Sequence, residues 1–309
     1  MKTFGEWERA VLMRAYDDVD LISCHAYYEE KDGDLASFLA SSMQMNRYID
    51  AVVATADHAK AVLKSAKTIN ISFDEWNVWY LEEGRHGPGG TYRSDDIRGT
   101  DWPVAPRVAE DVYSVADAVV VGSLLITLLK HADRVSSACL SMLVNAMAPI
   151  RAEAGADVWR QTTFYPFALT SRWARGTVLD VRVQCETHET KDHGRVPVID
   201  VVATHDQDAQ AAAVFLVNRS PVDAQTVEVD LRAFGPIELV GTRSLFDADP
   251  YATNSAGDPL RVVPRANDTA RLSDGVLLVE LPAVSWTVVT LRSSPPKSTC
   301  RSRSFGSKF

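Results

Sequence analysis

Two adjacent acids close the run Ile69-Asn70-Ile71-Ser72-Phe73-Asp74-Glu75-Trp76-Asn77-Val78-Trp79-Tyr80, and an amide and three aromatics surround them. A carboxylate can attack an anomeric carbon, and a carboxylic acid can protonate the oxygen that leaves it. Aromatic rings cover the apolar faces of a pyranose or furanose. Glu75 among Trp76, Trp79 and Tyr80 therefore suits a sugar site; the competing reading is a rim acid that caps the following helix. Ile69, Ile71 and Phe73 alternate with Asn70, Ser72 and Asp74, which is the period of a strand. The acids arrive where that strand meets a loop, and in a (β/α) barrel that edge is the catalytic face. On a regular strand Asp74 points away from Glu75, which gives it a structural role.

The elements that must carry this strand follow a strand-helix rhythm. Trp7, Val11, Leu12, Ala15 and Tyr16 recur at helical spacing. Val19 to Tyr28 reads as a strand, and Leu35 to about Lys67 as a helix with Ile49, Val52, Val53, Ala56 and Leu63 on one face. After the Glu75 strand, Leu81 to Arg107 is a long loop of the kind that covers a site or is disordered. An apolar helix is expected from about Ala109 to Ala132, a third strand from Val135 to Asn145, and a last helix starting near Gln161, with Pro166 as a candidate bend. Alternating strands and helices predict a parallel sheet.

From Gly176 the pattern changes to short β runs: Thr177–Val183, Val198–Thr204, Ala212–Val217, Thr226–Leu231, Ile237–Leu245, Val276–Leu281 and Ser285–Leu291. That spacing predicts a β-sandwich. The Ser/Arg-rich segment 294–309 lacks periodicity and is expected to be disordered.

The 309 residues carry a formal charge of -9, which argues against a nucleic-acid partner. Cys24, Cys139, Cys185 and Cys300 form no CxxC pair, so no metal site, cofactor or disulfide framework is signalled. The N-terminus lacks an apolar h-region, which points to a cytoplasmic location. The longest apolar stretch, Ala118 to Leu129, is too short to span a bilayer, so no membrane partner is expected.

Ser72-Phe73-Asp74-Glu75-Trp76-Asn77-Val78-Trp79-Tyr80 resembles the nucleophile motif of the α-L-arabinofuranosidases of glycoside hydrolase family 51. The resemblance implies a retaining hydrolase of arabinose-containing oligo- or polysaccharides, with Glu75 as nucleophile and no metal. Ser23-Cys24-His25-Ala26-Tyr27-Tyr28 is similar to the end of barrel strand 6 in that family, where a Tyr hydrogen-bonds the nucleophile, and Tyr27 matches it. A phenol donating to Glu75 would favour its charged form; the alternative is a rim Tyr with an unrelated partner. His25 is either pocket-lining or a hydrogen-bonded core residue. Trp79 matches an aromatic of the family's arabinose pocket, and Trp76 is open to a packing role.

The implied fold is α/β: strands 6 to 8 of a (β/α)8 TIM barrel over residues 1–175, then an all-β, jelly-roll-like sandwich over 176–293. Met142 stands where the family usually has a Gln that contacts the sugar, and a thioether cannot replace an amide as a donor. The family's acid/base is the Glu of an Asn-Glu pair, and no Asn-Glu dipeptide occurs in these 309 residues. The resemblance thus covers a C-terminal part of the enzyme, expected to be inactive alone. Open sheet edges recruit other chains, so homo-oligomers are compatible with it, and apolar residues of the barrel's inner face are expected to meet water. A non-catalytic carbohydrate-binding remnant, or a related barrel glycosidase of other specificity, are the alternative functions.

Overall fold

The computed structural model describes residues 4–80 and 109–293, apart from 154 and 156. The expected 81–107 loop and 294–309 tail lie outside the described residues. Strands outnumber helices among the described elements.

The first part runs α1 (Glu6–Ala15), β1 (Leu21–Tyr28), α2 (Leu35–Leu39), α3 (Ser42–Leu63), β2 (Asn70–Val78), α4 (Val115–Lys130) and β3 (Val135–Leu140). The three strands form a parallel sheet in the order β1-β2-β3. Several expected bounds move, each for a local reason. The helix predicted from Leu35 breaks at Ala40 into α2 and α3; Asp34 starts α2 by accepting from the Ser37 amide at 3.0 Å and its hydroxyl at 2.7 Å. Leu63 belongs to no core face and is 41% exposed, whereas Met45 and Ala59 are buried. The apolar helix starts at Val115 rather than Ala109, because Ser114 and Asp117 form a capping box. β3 stops at Leu140, short of the expected Asn145.

β4 (Ile150–Arg151) and β5 (Trp159–Arg160) make a small hairpin ahead of α5 (Phe164–Trp173). Pro166 is the third residue of α5, inside the first turn, where its missing N–H removes no helical hydrogen bond. The remaining strands are β6 (Thr177–Leu179), β7 (Thr187–Thr190), β8 (Gly194–Pro197), β9 (Ile199–Asp206), β10 (Ala211–Asn218), β11 (Gln225–Asp230), β12 (Ile237–Leu245), β13 (Arg265–Ala266), β14 (Arg271–Ser273), β15 (Val276–Leu281) and β16 (Ser285–Ser293). A six-stranded sheet, β13-β12-β16-β10-β9-β6, faces a three-stranded one, β11-β15-β14. Val201, Val214, Leu216, Leu277, Val279 and Val289 fill the layer between them.

The other face of the six-stranded sheet packs on the helices, so one apolar core joins both parts. Trp286 of β16 lies against α4 at Gly122, where an added Cβ would come within 2.1 Å of the indole Cδ1. Gly122→Ala is therefore expected to cost at least about 1–3 kcal/mol through overpacking, read as a lower urea midpoint. Beside this contact a buried ion cluster ties α3, α4, β9 and the residue after β10. Asp200 receives Arg219 at 2.5 Å, Lys130 at 2.7 Å and the Ser123 hydroxyl at 2.7 Å, while Arg219 also donates to Ser42.

Helices α3 and α4 cover one face of the parallel sheet through Ile71, Phe73, Trp76 and Val78. Its opposite face presents Ser23, Asn70, Ser72 and Ser136. The expectation of an apolar inner face is thus corrected: among the described residues of that face only Leu21 is a large exposed hydrophobic. No described helix is long and apolar enough to cross a membrane.

Candidate active site

The chemistry-bearing acids owe their placement to an irregularity in β2. Ser23 pairs with Ser72 and His25 with Glu75, so two steps on β1 match three on β2. The same surplus appears against β3, where Phe73 faces Ala138 and Trp76 faces Leu140. One extra residue makes a β-bulge. The expectation that Asp74 points away from Glu75 is corrected here, because the bulge keeps both on the open face, with side chains 41% and 40% exposed. Trp76 then turns inward and is fully buried.

Across the strands the Tyr27 hydroxyl donates to Glu75 Oε1. Ser141 Oγ lies 3.1 Å from the same phenol oxygen, and its donation there leaves the single phenolic proton for Glu75. Burial, and then the Glu75 carboxylate, push the Tyr27 pKa up to about 12, so the phenol stays a donor across the neutral range. His25 meets the other carboxylate oxygen, with Nδ1 3.4 Å from Glu75 Oε2. Its Nε2 is 3.1 Å from Ser23 Oγ and 3.5 Å from Asp74 Oδ1, and Ser23 Oγ donates to Asp74 at 2.8 Å. His25 is thus a half-exposed bridge between two carboxylates and lies on the open face, outside the core.

Of the three aromatics around the motif, Trp79 alone reaches the pair. Its ring meets Tyr27 edge-on at 5.0 Å between centroids. Trp76 packs toward Phe167, and Tyr80 is buried with its hydroxyl donating to Asp117. Asn77, fully buried, closes the end of the strand: its amide nitrogen donates to the Ser141 and Met147 carbonyls and its oxygen accepts from the Val78 amide. That clamp holds Ser141 where it meets Tyr27. Met142, next in the chain, is 49% exposed, and its side chain offers no hydrogen-bond donor.

Sequence reasoning placed Glu75, Tyr27, His25 and Trp79 together, and the structure brings these four together. It missed Ser23, Ser141 and Asn77. Ser23 and Ser141 are ordinary small polar residues, and their only signal was position within or just past the strands adjoining Glu75.

The site is thus a strand-end carboxylate held by a phenol, on a parallel sheet backed by helices and a β-sandwich. Residues 74–285 match the family profile described as the α-L-arabinofuranosidase C-terminal domain. The chain is 48% identical to an intracellular exo-α-(1→5)-L-arabinofuranosidase of Streptomyces lividans, over 100% of this chain and 45% of that protein. It is 46% identical to an exo-α-(1→6)-L-arabinofuranosidase of Bifidobacterium longum, over 94% of this chain and 56% of that protein. A solved family 51 α-L-arabinofuranosidase from Bifidobacterium longum superposes with a TM-score of 0.84 at 41% identity, covering 94% and 56% of the two chains. The chain belongs to the family 51 α-L-arabinofuranosidases, of which it represents a C-terminal part. It spans about half the length of the curated relatives it matches.

Proposed function

We propose that the chain is the nucleophile-bearing part of a retaining α-L-arabinofuranosidase acting on arabinose-containing oligo- or polysaccharides, with residues 1–175 forming strands 6 to 8 of a (β/α)8 barrel and 176–293 the accompanying sandwich domain. The observation that carries this reading is the Tyr27 hydrogen bond to Glu75 at the ends of adjacent parallel strands. Glu75 Oε2 or Oε1 attacks the anomeric carbon, the bond to the leaving oxygen breaks, and that oxygen takes a proton from a second carboxylic acid. The resulting glycosyl ester is cleaved by water, activated by the same second carboxylate, which restores Glu75 and keeps the anomeric configuration. Tyr27 and His25 hold the Glu75 carboxylate in one orientation, which favours in-line attack over rotation. Trp79 offers a ring face to the arabinose. The relatives named above are exo-acting on α-(1→5) or α-(1→6) linkages, which supports terminal arabinofuranosyl groups as the unit removed.

Retention requires the second carboxyl about 5–5.5 Å from the nucleophile. Among the described residues Asp74 shares the Glu75 cluster, but it is engaged with Ser23 and His25 and lies on the same strand as Glu75. The family's acid/base is the Glu of an Asn-Glu pair, and since these 309 residues contain no such pair the acid is assigned to a segment outside them. An activated aryl α-L-arabinofuranoside, whose leaving group needs least protonation, is the stringent assay. No sustained turnover is expected from the chain alone. Sustained turnover by a monodisperse monomer, lost in Glu75→Ala, would overturn that assignment.

A further inference from the structure

Beside the catalytic centre lies a pocket that the sandwich helps to build. Tyr27 and Trp79, whose rings meet next to Glu75, form part of the wall of a cavity of about 520 Å³, a volume in the range of small-ligand sites, ~300–1,000 Å³. Asp192 and His193, from the tip of the β7–β8 hairpin, form another part. That tip is tied down through its backbone: the Asp192 amide donates to Ser37 Oγ at 3.2 Å, and Arg47 donates to the His193 carbonyl at 3.3 Å. Lys191 adds an ion pair with Asp32 at 3.3 Å. Gly194, at φ 69°, takes the left-handed position that closes the loop of Lys191, Asp192 and His193. Main-chain atoms of Asp192 and His193 thus hold the tip, and their side chains line the pocket.

The lining specifies the ligand. Burial holds the His193 imidazole below the ordinary histidine value, so at pH 7 it is neutral and offers one donor and one acceptor, which is what a hydroxyl both needs and supplies. The Gln44 amide, also in the lining, offers the same pair. The cations are committed elsewhere: Lys31 stands 3.9 Å from Glu29, and Arg47 is given to the hairpin backbone. Asp34 is spent on the start of α2, which leaves the Asp192 carboxylate to add acceptors. Such a lining favours a neutral, hydroxyl-rich ligand over an anion, and the rings of Tyr27 and Trp79 suit the apolar faces of a sugar. Glu75 is not in the lining, so the pocket lies past the unit over the nucleophile. In an exo-acting hydrolase every unit past that one is on the leaving side.

We infer that this pocket receives a leaving-side sugar unit of a bound arabino-oligosaccharide, and that Asp192 and His193 of the sandwich hairpin select that unit by hydrogen bonding to its hydroxyls. The choice of arabinose rests on the reading under Proposed function; the binding of a neutral saccharide between the hairpin and the strand ends does not.

The test titrates the isotope-labelled full chain with α-(1→5)-arabinotriose and follows NMR shifts of backbone and side-chain amides. Shifts are expected at Asp192, His193 and the Gln44 side chain, saturating at millimolar concentrations. Asp192→Ala with His193→Ala keeps the main-chain contacts of the tip and should weaken binding at least about fivefold, while Val222→Lys, at an 80% exposed position on the sandwich, should not. Circular dichroism checks that each variant remains folded; Asp192→Asn with His193→Gln, closer in size, takes the place of an alanine pair that does not fold and should also weaken binding. Arabinotriose that leaves the hairpin signals unmoved at about 20 mM, or binds the hairpin variants as tightly as the wild type, overturns the inference. Equal hairpin shifts with xylotriose uphold a saccharide pocket and overturn the choice of arabinose. Hairpin shifts, together with a longer enzyme whose Glu75→Ala form still hydrolyses an aryl arabinofuranoside, uphold the pocket and remove the catalytic reading instead.

Discussion

In an enzyme that carries this chain together with the segment its relatives have outside the matched region, Glu75→Ala is expected to reduce kcat/KM by at least about a thousandfold, the effect of deleting a covalent nucleophile rather than a binding contact. Tyr27→Phe should fall well short of that, by roughly ten- to a hundredfold, since the carboxylate survives and loses one orienting donor. The two readouts separate the roles. External azide should partly rescue Glu75→Ala with inverted stereochemistry, because a small anion can occupy the space vacated by the carboxylate and attack the same carbon face. Near-normal hydrolysis by Glu75→Ala would remove Glu75 as nucleophile, and equal losses in the two variants would mean that Tyr27 does more than orient.

The second large effect concerns the join between helices and sandwich. Asp200→Ala should destabilise the chain by about 3–5 kcal/mol, because it strands the Arg219 guanidinium, 2% exposed, without its counter-ion. Burial pushes the Asp200 carboxyl up, yet Arg219 and Lys130 together more than offset it and leave the pKa below the ordinary Asp value. A depressed folded pKa contributes stability above the unfolded value of about 3.9, and that contribution is lost as pH falls through the folded value. Urea midpoints of the wild-type chain should therefore drop below about pH 4, with the Asp200→Ala chain showing a shallower fall. Replacing Asp200 and Arg219 together by apolar residues should recover part of the loss, since a buried pair can be exchanged for packed side chains with little net cost.

Period and composition made the main outline readable. The alternation Ile69, Ile71, Phe73 marked β2, the spacing of Trp7, Leu12 and Tyr16 marked α1, and the shift to short β runs after Gly176 marked the sandwich. Three features escaped for physical reasons. The β2 bulge adds one residue at Phe73-Asp74-Glu75 without a glycine to announce it, so a regular strand sent Asp74 to the wrong face. The β7–β8 hairpin consists of Thr187–Thr190 and Gly194–Pro197, too short and too polar for an alternating signal. The start of α4 was readable in principle from Ser114 and Asp117, but the apolar run drew the boundary upstream. At the site, the motif residues Glu75, Tyr27, His25 and Trp79 stood out, while Ser141 and Asn77 matter through contacts made across the sheet, which spacing along one strand cannot reveal.

Incubating the assembled enzyme with a slow-turnover 2-deoxy-2-fluoro arabinofuranoside that carries an activated leaving group, followed by peptide mapping by mass spectrometry, tests the central claim most directly. The fluorine disfavours the oxocarbenium-like transition state of both steps, and the activated leaving group lets the ester form faster than water removes it. The account predicts one fluoroarabinosyl group on the peptide containing Glu75, with fragmentation placing it on the Glu75 carboxyl and no label in the Glu75→Gln protein. Label on Asp74, or on a carboxyl outside β2, would contradict it.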